Sequence, residues 1–143
     1  MYEAITSAIL DSDDLELSIM NANKKHDDCK ALKIAIKERQ PDIVKFFISN
    51  GYDTSCICVN PLKISIKYGD LYITKYLSHM YDINIKHIKL AVENGDFDMV
   101  KFLIKKTDNI SKKDLIEAIS ISRNTNMLLC KFLEQVYTNK NYN

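Results

Sequence analysis

One arrangement of apolar and polar positions recurs along the chain. A short segment places apolar residues around one small residue, a break follows, and a second segment carries apolar residues at helical spacing. The small residues are Ala8, Ala35, Ser65, Ala91 and Ala118, and the intervals between them are 27, 30, 26 and 27 residues. Near-constant spacing of this length predicts a repeat protein whose units stack on one another.

Each unit is predicted to fold as two short helices. Around Ala91 the first segment is apolar on most sides, so this helix is expected to be buried against neighbours. The break that follows is Gly95-Asp96, in which glycine can adopt a left-handed conformation and aspartate can cap the next helix. The second segment carries Met99 and Leu103 on one face, as an amphipathic helix does.

Three segments resemble parts of the ankyrin repeat. Residues 60–65, NPLKIS, are similar to the family's opening Thr-Pro-Leu-His-x-Ala, and residues 94–103 are similar to its turn and second helix. Residues 50–53, NGYD, resemble its closing Gly-Ala-Asp. The resemblance implies an all-α fold, a short solenoid of stacked helix-turn-helix repeats, and a non-catalytic protein that binds another protein.

The same resemblance implies one repeat domain over residues 1–143. It would hold an N-terminal capping repeat at 1–28, three core repeats at 30–111, a C-terminal repeat at 112–135 and a polar tail at 136–143. The period is shorter than the family's, which is about 33 residues, so we expect shortened or missing fingers between some repeats. A composition rich in lysine, isoleucine and asparagine resembles that of ankyrin proteins from large DNA viruses.

By analogy with the family, the partner would bind the inner side of the stack. The implied positions at the ends of the first helices are Lys37, Glu38, Lys67, Tyr68, Glu93, Asn94, Ser120 and Ile121, and the longest finger adds Tyr52 and Asp53. Tyr68 is the expected anchor, because partly exposed aromatic residues are typical of interface hot spots. Simple solvent exposure would also account for polar residues at these places.

The sequence is also compatible with two other functions. Met127, Leu128 and Leu129 lie together in the weak fourth repeat, where an exposed apolar end would pair with a second copy; we expect a monomer. Nucleic-acid binding is disfavoured because the net charge is +1 and the lysines are spread along the chain.

Composition indicates an intracellular protein, in the host cytoplasm if it is viral. Of its 143 residues 46% are hydrophobic and 27% charged, which is ordinary for a folded domain. No apolar run approaches the roughly 20 residues of a membrane span. The first residues are acidic and lack the basic segment that opens a signal peptide.

The sequence predicts no catalytic, cofactor-binding or metal-binding residue. Phosphate-binding and nucleophile motifs are absent from it, and it contains only 3 glycines with which to build such loops. Its histidines are expected in surface loops; they are His26, His79 and His87. Its four cysteines have neither disulfide-framework nor zinc-site spacing, so free thiols are expected.

Overall fold

A computed structural model describes residues 25–51 and 60–140, which form eight α-helices and no β-strand. The helices are α1 Lys25–Lys37, α2 Pro41–Ser49, α3 Pro61–Lys67, α4 Leu71–Leu77, α5 Ile85–Glu93, α6 Phe97–Lys106, α7 Lys112–Thr125 and α8 Met127–Asn139. The chain divides into two compact units, the first ending at Leu77 and the second beginning at Ser78. The predicted all-α fold is confirmed.

The helices pack as the repeat predicts. In the first unit, α1 contacts α2 and α3, α3 contacts α4, and α2 contacts α4. In the second unit, α5 contacts α6 and α7, and α7 contacts α8. Within each unit the first helix of one pair therefore contacts the first helix of the next pair, as in a helical solenoid.

The small residue of each described repeat is buried within this packing. Ala35, Ser65, Ala91 and Ala118 are all 0% exposed. A first helix meets both its own partner and the neighbouring first helix, so a larger side chain at this point would overfill a close-packed interior. The structure confirms the register derived from these residues.

Three of the four first helices end in the same turn. The residue four positions after the small residue has a positive φ, which is 56° at Arg39, 67° at Gly69 and 68° at Gly95. The next backbone N–H donates to the carbonyl oxygen of the small residue, at 2.9 Å for Gln40–Ala35, 3.0 Å for Asp70–Ser65 and 3.2 Å for Asp96–Ala91. This hydrogen bond and the left-handed residue together form a Schellman C-cap.

The second helices begin as predicted. The Asp70 carboxylate accepts the Ile73 N–H at 2.8 Å at the start of α4, and the Asp96 carboxylate accepts the Met99 N–H at 3.0 Å at the start of α6. Pro41 lies in the first turn of α2, where its missing N–H leaves no donor unsatisfied.

The fourth repeat departs from this pattern because it lacks a left-handed residue after its first helix. Ser122 stands at the equivalent position, and α7 continues to Thr125 before Asn126 caps α8. Helix α8 then continues to Asn139, beyond the predicted repeat end at residue 135. At the other end, α1 begins at Lys25, before the predicted start of the core repeats at residue 30.

Two histidines lie in helices, so their assignment to loops is wrong. His87 is buried in α5, and its Nδ1 accepts the Asn84 N–H at 3.2 Å as part of a capping box. Because an imidazole can replace the usual glutamate of this motif, His87 belongs to the start of the helix. His26 lies within α1, whereas His79 is exposed in a turn.

The prediction of four free thiols is wrong at Cys29, which is buried and disulfide-bonded. Spacing along the chain says nothing about which cysteines approach each other after the helices pack. Cys130 is buried and free, and Cys56 and Cys58 lie outside the described residues.

Candidate protein-binding surface

The first unit carries a groove of about 230 Å³ along its two first helices. Its lining residues are Lys33 from α1, then Asn60, Lys63, Ile64, Lys67 and Tyr68 at or within α3. Lys33 and Lys63 occupy equivalent places in successive repeats, each two positions before the buried small residue. Both lysines are exposed, so the repeat itself aligns their ammonium groups along one surface.

Both ends of α3 fix the groove locally. The Asn60 side chain accepts the Lys63 N–H at 2.9 Å and caps the start of the helix. Tyr68 is the C-cap residue, and its N–H donates to the Ile64 carbonyl at 3.0 Å. The Tyr68 carbonyl accepts Nη2 of Arg39 at 3.2 Å, which joins the turns of two successive repeats. The half-buried Tyr68 therefore has its backbone fixed on both sides.

The structure brings together part of the predicted site in the first unit. Lys67 and Tyr68 both line the groove. Lys37 and Glu38 lie at the exposed end of α1, with Nζ and Oε1 3.9 Å apart. Tyr52 and Asp53 lie outside the described residues.

Sequence reasoning missed Lys33 and Lys63 as members of the groove. Their equal distance from the small residue was the signal that could have found them, because equivalent positions in stacked repeats lie on one surface.

In the second unit, the predicted positions separate. Glu93 and Asn94 are exposed at the end of α5. Their position is equivalent to that of Lys67 and Tyr68 at the end of α3. Ser120 and Ile121 instead lie inside α7, because that helix has no break at the equivalent position. Ser120 contributes to a separate depression of about 460 Å³, whose other lining residues are Ile116, Ile119, Arg123, Glu134 and Tyr137.

In the second unit, Lys89 occupies the position equivalent to Lys33 and Lys63, and it belongs to a network of ion pairs. Lys89 Nζ lies 2.7 Å from Glu117 Oε2 and 3.4 Å from Asp114 Oδ1. The hydrogen bond to Glu117 raises the pKa of Lys89 above its ordinary value. The Ser111 hydroxyl donates to Asp114 at 2.6 Å and, with Lys89, lowers the pKa of that carboxyl. Acidic side chains of the next repeat therefore neutralise Lys89.

The second helices present a different surface. Lys45 Nζ donates to the Tyr72 hydroxyl at 2.8 Å and lies 5.0 Å from the Tyr72 ring centroid. This hydrogen bond raises the pKa of Lys45. Lys75, Lys101 and Lys105 are exposed.

The described residues hold neither a metal centre nor a membrane span. Across 25–51 and 60–140, no three histidine, cysteine, aspartate or glutamate side chains are grouped closely enough to hold a metal ion. None of the helices in these ranges has the length and apolar character needed to cross a bilayer.

Stacked helix pairs with an exposed first-helix surface define a repeat scaffold. The family profile "Ankyrin repeats (3 copies)" matches residues 32–114, which is more than half of the chain. The chain belongs to the ankyrin-repeat family. Members of this family are generally non-catalytic scaffolds that bind proteins, so family membership indicates a protein–protein interaction module.

An ankyrin repeat protein of Acanthamoeba polyphaga mimivirus is 32% identical to this chain over 106 residues. The alignment covers 72% of this chain and 17% of that protein, so the chain spans a small part of its relative. This similarity confirms the resemblance to ankyrin proteins of large DNA viruses. No solved structure matches the chain.

Proposed function

We propose that this chain is a non-catalytic module that binds one partner protein through the groove of α1 and α3. The observation that carries the proposal is the half-buried Tyr68 beside a row of lysines in that groove. Tyrosine is enriched in interface hot spots, whereas lysine is depleted at interface cores and common at their rims. Tyr68 would be the centre of the contact, with Lys33 and Lys63 at its edge.

The second helices are less suited to this role. Their exposed positions include Lys75, Lys101 and Lys105. Lysine is strongly hydrated and loses much side-chain freedom when ordered, so these positions are poorly suited to the centre of an interface.

The similarity to an ankyrin repeat protein of a large DNA virus supports a more specific proposal about the origin and the partner of this chain. The chain would be a viral protein that binds a host protein in the host cytoplasm. Fold alone does not determine function, so the partner must be identified by experiment.

The experiment begins with affinity capture from a lysate of a candidate host cell, followed by mass spectrometry. Binding of the captured protein is then compared between the parent, Tyr68→Ala and Lys75→Ala. Loss of the anchor should weaken binding by about 1–2 kcal/mol, which is roughly 5- to 30-fold in Kd. Lys75→Ala should change it little. Both variants must keep the parent melting temperature, and a larger effect of Lys75→Ala would contradict the assignment.

Self-association is the second candidate function, and exposed apolar side chains in the fourth repeat favour it. Met127 is 64% and Leu128 71% exposed, although Leu129 is fully buried, so its predicted place in the contact is wrong. We expect the mass in solution to stay that of a monomer as concentration rises. A concentration-dependent dimer that Leu128→Lys abolishes would favour self-association instead.

A further inference from the structure

We propose that the groove of α1 and α3 binds an acidic segment of a partner protein. This inference rests on the proposed function and adds the chemistry of the partner. It depends on Lys33 and Lys63, the two groove lysines that successive repeats place in line.

The charge of the groove is one-sided. Among the residues that the structure describes, its lining includes three lysines and no acidic side chain. Among ion pairs within residues 25–51 and 60–140, none includes Lys33 or Lys63. The groove therefore presents positive charge without an internal partner for these two ammonium groups.

The second unit shows how this protein neutralises a lysine at the same position. There Lys89 is closed off by Asp114 and Glu117 from the next helix pair. In the first unit, α3 has Pro61 and Ile64 at the positions that Asp114 and Glu117 occupy in α7, so it offers Lys33 no carboxylate there. A ligand that brings its own carboxylates would restore the pairing seen at Lys89.

The shape and the apolar part of the groove limit the ligand further. A volume of about 230 Å³ admits one or two side chains of a ligand. Ile64 and Tyr68 add apolar surface between the lysines, and both are half-buried. The fitting ligand is an extended segment in which aspartate or glutamate neighbours an apolar residue.

A peptide fits this surface better than a nucleic acid does. Nucleic-acid binding uses a long basic stripe, commonly with arginine, which pairs with phosphate through two parallel hydrogen bonds. No arginine lines the groove, and the whole chain carries a net charge of only +1.

The test measures fluorescence anisotropy of a labelled peptide of alternating glutamate and leucine. A peptide with glutamine in place of glutamate and a labelled single-stranded oligonucleotide serve as comparisons. The parent should bind the glutamate peptide, more weakly as salt rises, because screening weakens exposed charge pairs. The double variant Lys33→Glu/Lys63→Glu should lower the affinity by about tenfold or more.

The matched control is Lys75→Glu/Lys101→Glu, which changes the net charge equally at exposed positions outside the groove. It should change the affinity by less than about threefold if long-range charge is screened. Lys33→Arg/Lys63→Arg should retain binding, and Lys33→Gln/Lys63→Gln should lose it. The glutamine variant removes the charge without reversing it, so it can be used if the glutamate variant does not fold. Circular dichroism checks that each variant stays folded.

Three outcomes would overturn the inference: equal binding of the glutamine peptide, an equal loss in the control pair, or tighter groove-dependent binding of the oligonucleotide. Capture of a partner that needs Tyr68 but not Lys33 or Lys63 would leave the proposed function standing and remove this inference. Lysine-dependent binding of the glutamate peptide without any captured partner would support this inference and count against the proposed function.

Discussion

The two units share one backbone frame, which consists of paired helices with a buried small residue and a left-handed turn. They differ in the charge of their first-helix surfaces. Each buries a small residue where first helices meet, and each contains the same left-handed turn. In the first unit, Lys33 and Lys63 face a groove whose described lining residues include no acidic side chain. In the second unit, Lys89 is held by Asp114 and Glu117.

This difference shows that the fold and the surface chemistry are specified by separate positions. Buried small residues and turns set the helix packing, and they leave the exposed positions between them free to vary. A lysine two positions before the small residue forms ion pairs within the protein in the second unit, and in our proposal it binds a partner in the first. The comparison predicts that binding is confined to the first unit.

The largest expected effect tests the shared frame. Ala35→Leu in the first unit and Ala91→Leu in the second should each lower the free energy of unfolding by about 1–3 kcal/mol or more, because both sites are fully buried. Urea denaturation measures the change. Glu93→Leu, on the exposed end of α5, is the control and should stay within about 0.5 kcal/mol of the parent. If one alanine variant were neutral, the two units would not share a frame.

A smaller effect is expected from a buried polar contact of the first unit. Thr74 Oγ1 lies 2.8 Å from Ser65 Oγ and donates to the Asp70 carbonyl at 2.7 Å. The equivalent residues in neighbouring repeats are Val44 and Val100. Thr74→Val should lower the free energy of unfolding by about 1 kcal/mol, since a typical buried hydrogen bond contributes that much.

Adding Ser65→Ala should recover part of this loss, because the pair then becomes apolar as in the other repeats. Thermal denaturation of the single and double variants measures the coupling. Strictly additive losses would mean that the two hydroxyls do not act as a pair.

The smallest effect concerns the ion pairs of the second unit. Asp114 has a lowered pKa, so its stabilising contribution is present above the ordinary carboxyl pKa and disappears as pH falls through the folded value. Lys89 has a raised pKa, so its contribution is lost only as pH rises through that value. The network should therefore be intact at neutral pH and weaken in acid.

Melting temperatures of the parent and Asp114→Asn should accordingly differ slightly at neutral pH and converge in acid. High salt should also reduce the difference, because these side chains are partly exposed. A difference in melting temperature that widens as the pH falls would contradict the lowered pKa of Asp114.

Much of the frame was predictable because its signals are local. A small residue followed four positions later by glycine, and then by aspartate, specifies burial, a left-handed turn and a helix cap within six residues. Arg39 adopts the same turn without glycine, so only its position in the repeat predicts it. In α7 the signal is absent, and the helix continues.

The surface could not be predicted to the same degree, because it depends on contacts between repeats. Lys89 meets Asp114 and Glu117 across 25 and 28 residues of chain. Whether such side chains meet depends on helix rotation and spacing, which composition does not specify. For the same reason, the groove that Lys33 and Lys63 share could not be predicted, although the sequence shows that they occupy equivalent positions in the repeat.

The hydrogen bond from Arg39 to the Tyr68 carbonyl has a consequence for the entropy of binding. A recognition residue in a free loop loses backbone freedom when its partner arrives, at a cost of about 1–2 kcal/mol. Tyr68 has already lost that freedom on folding, since its N–H and carbonyl are both bonded. Only rotation of its ring and side chain remains to be restricted, so a contact with this tyrosine loses less affinity to ordering than the same contact made from a free loop.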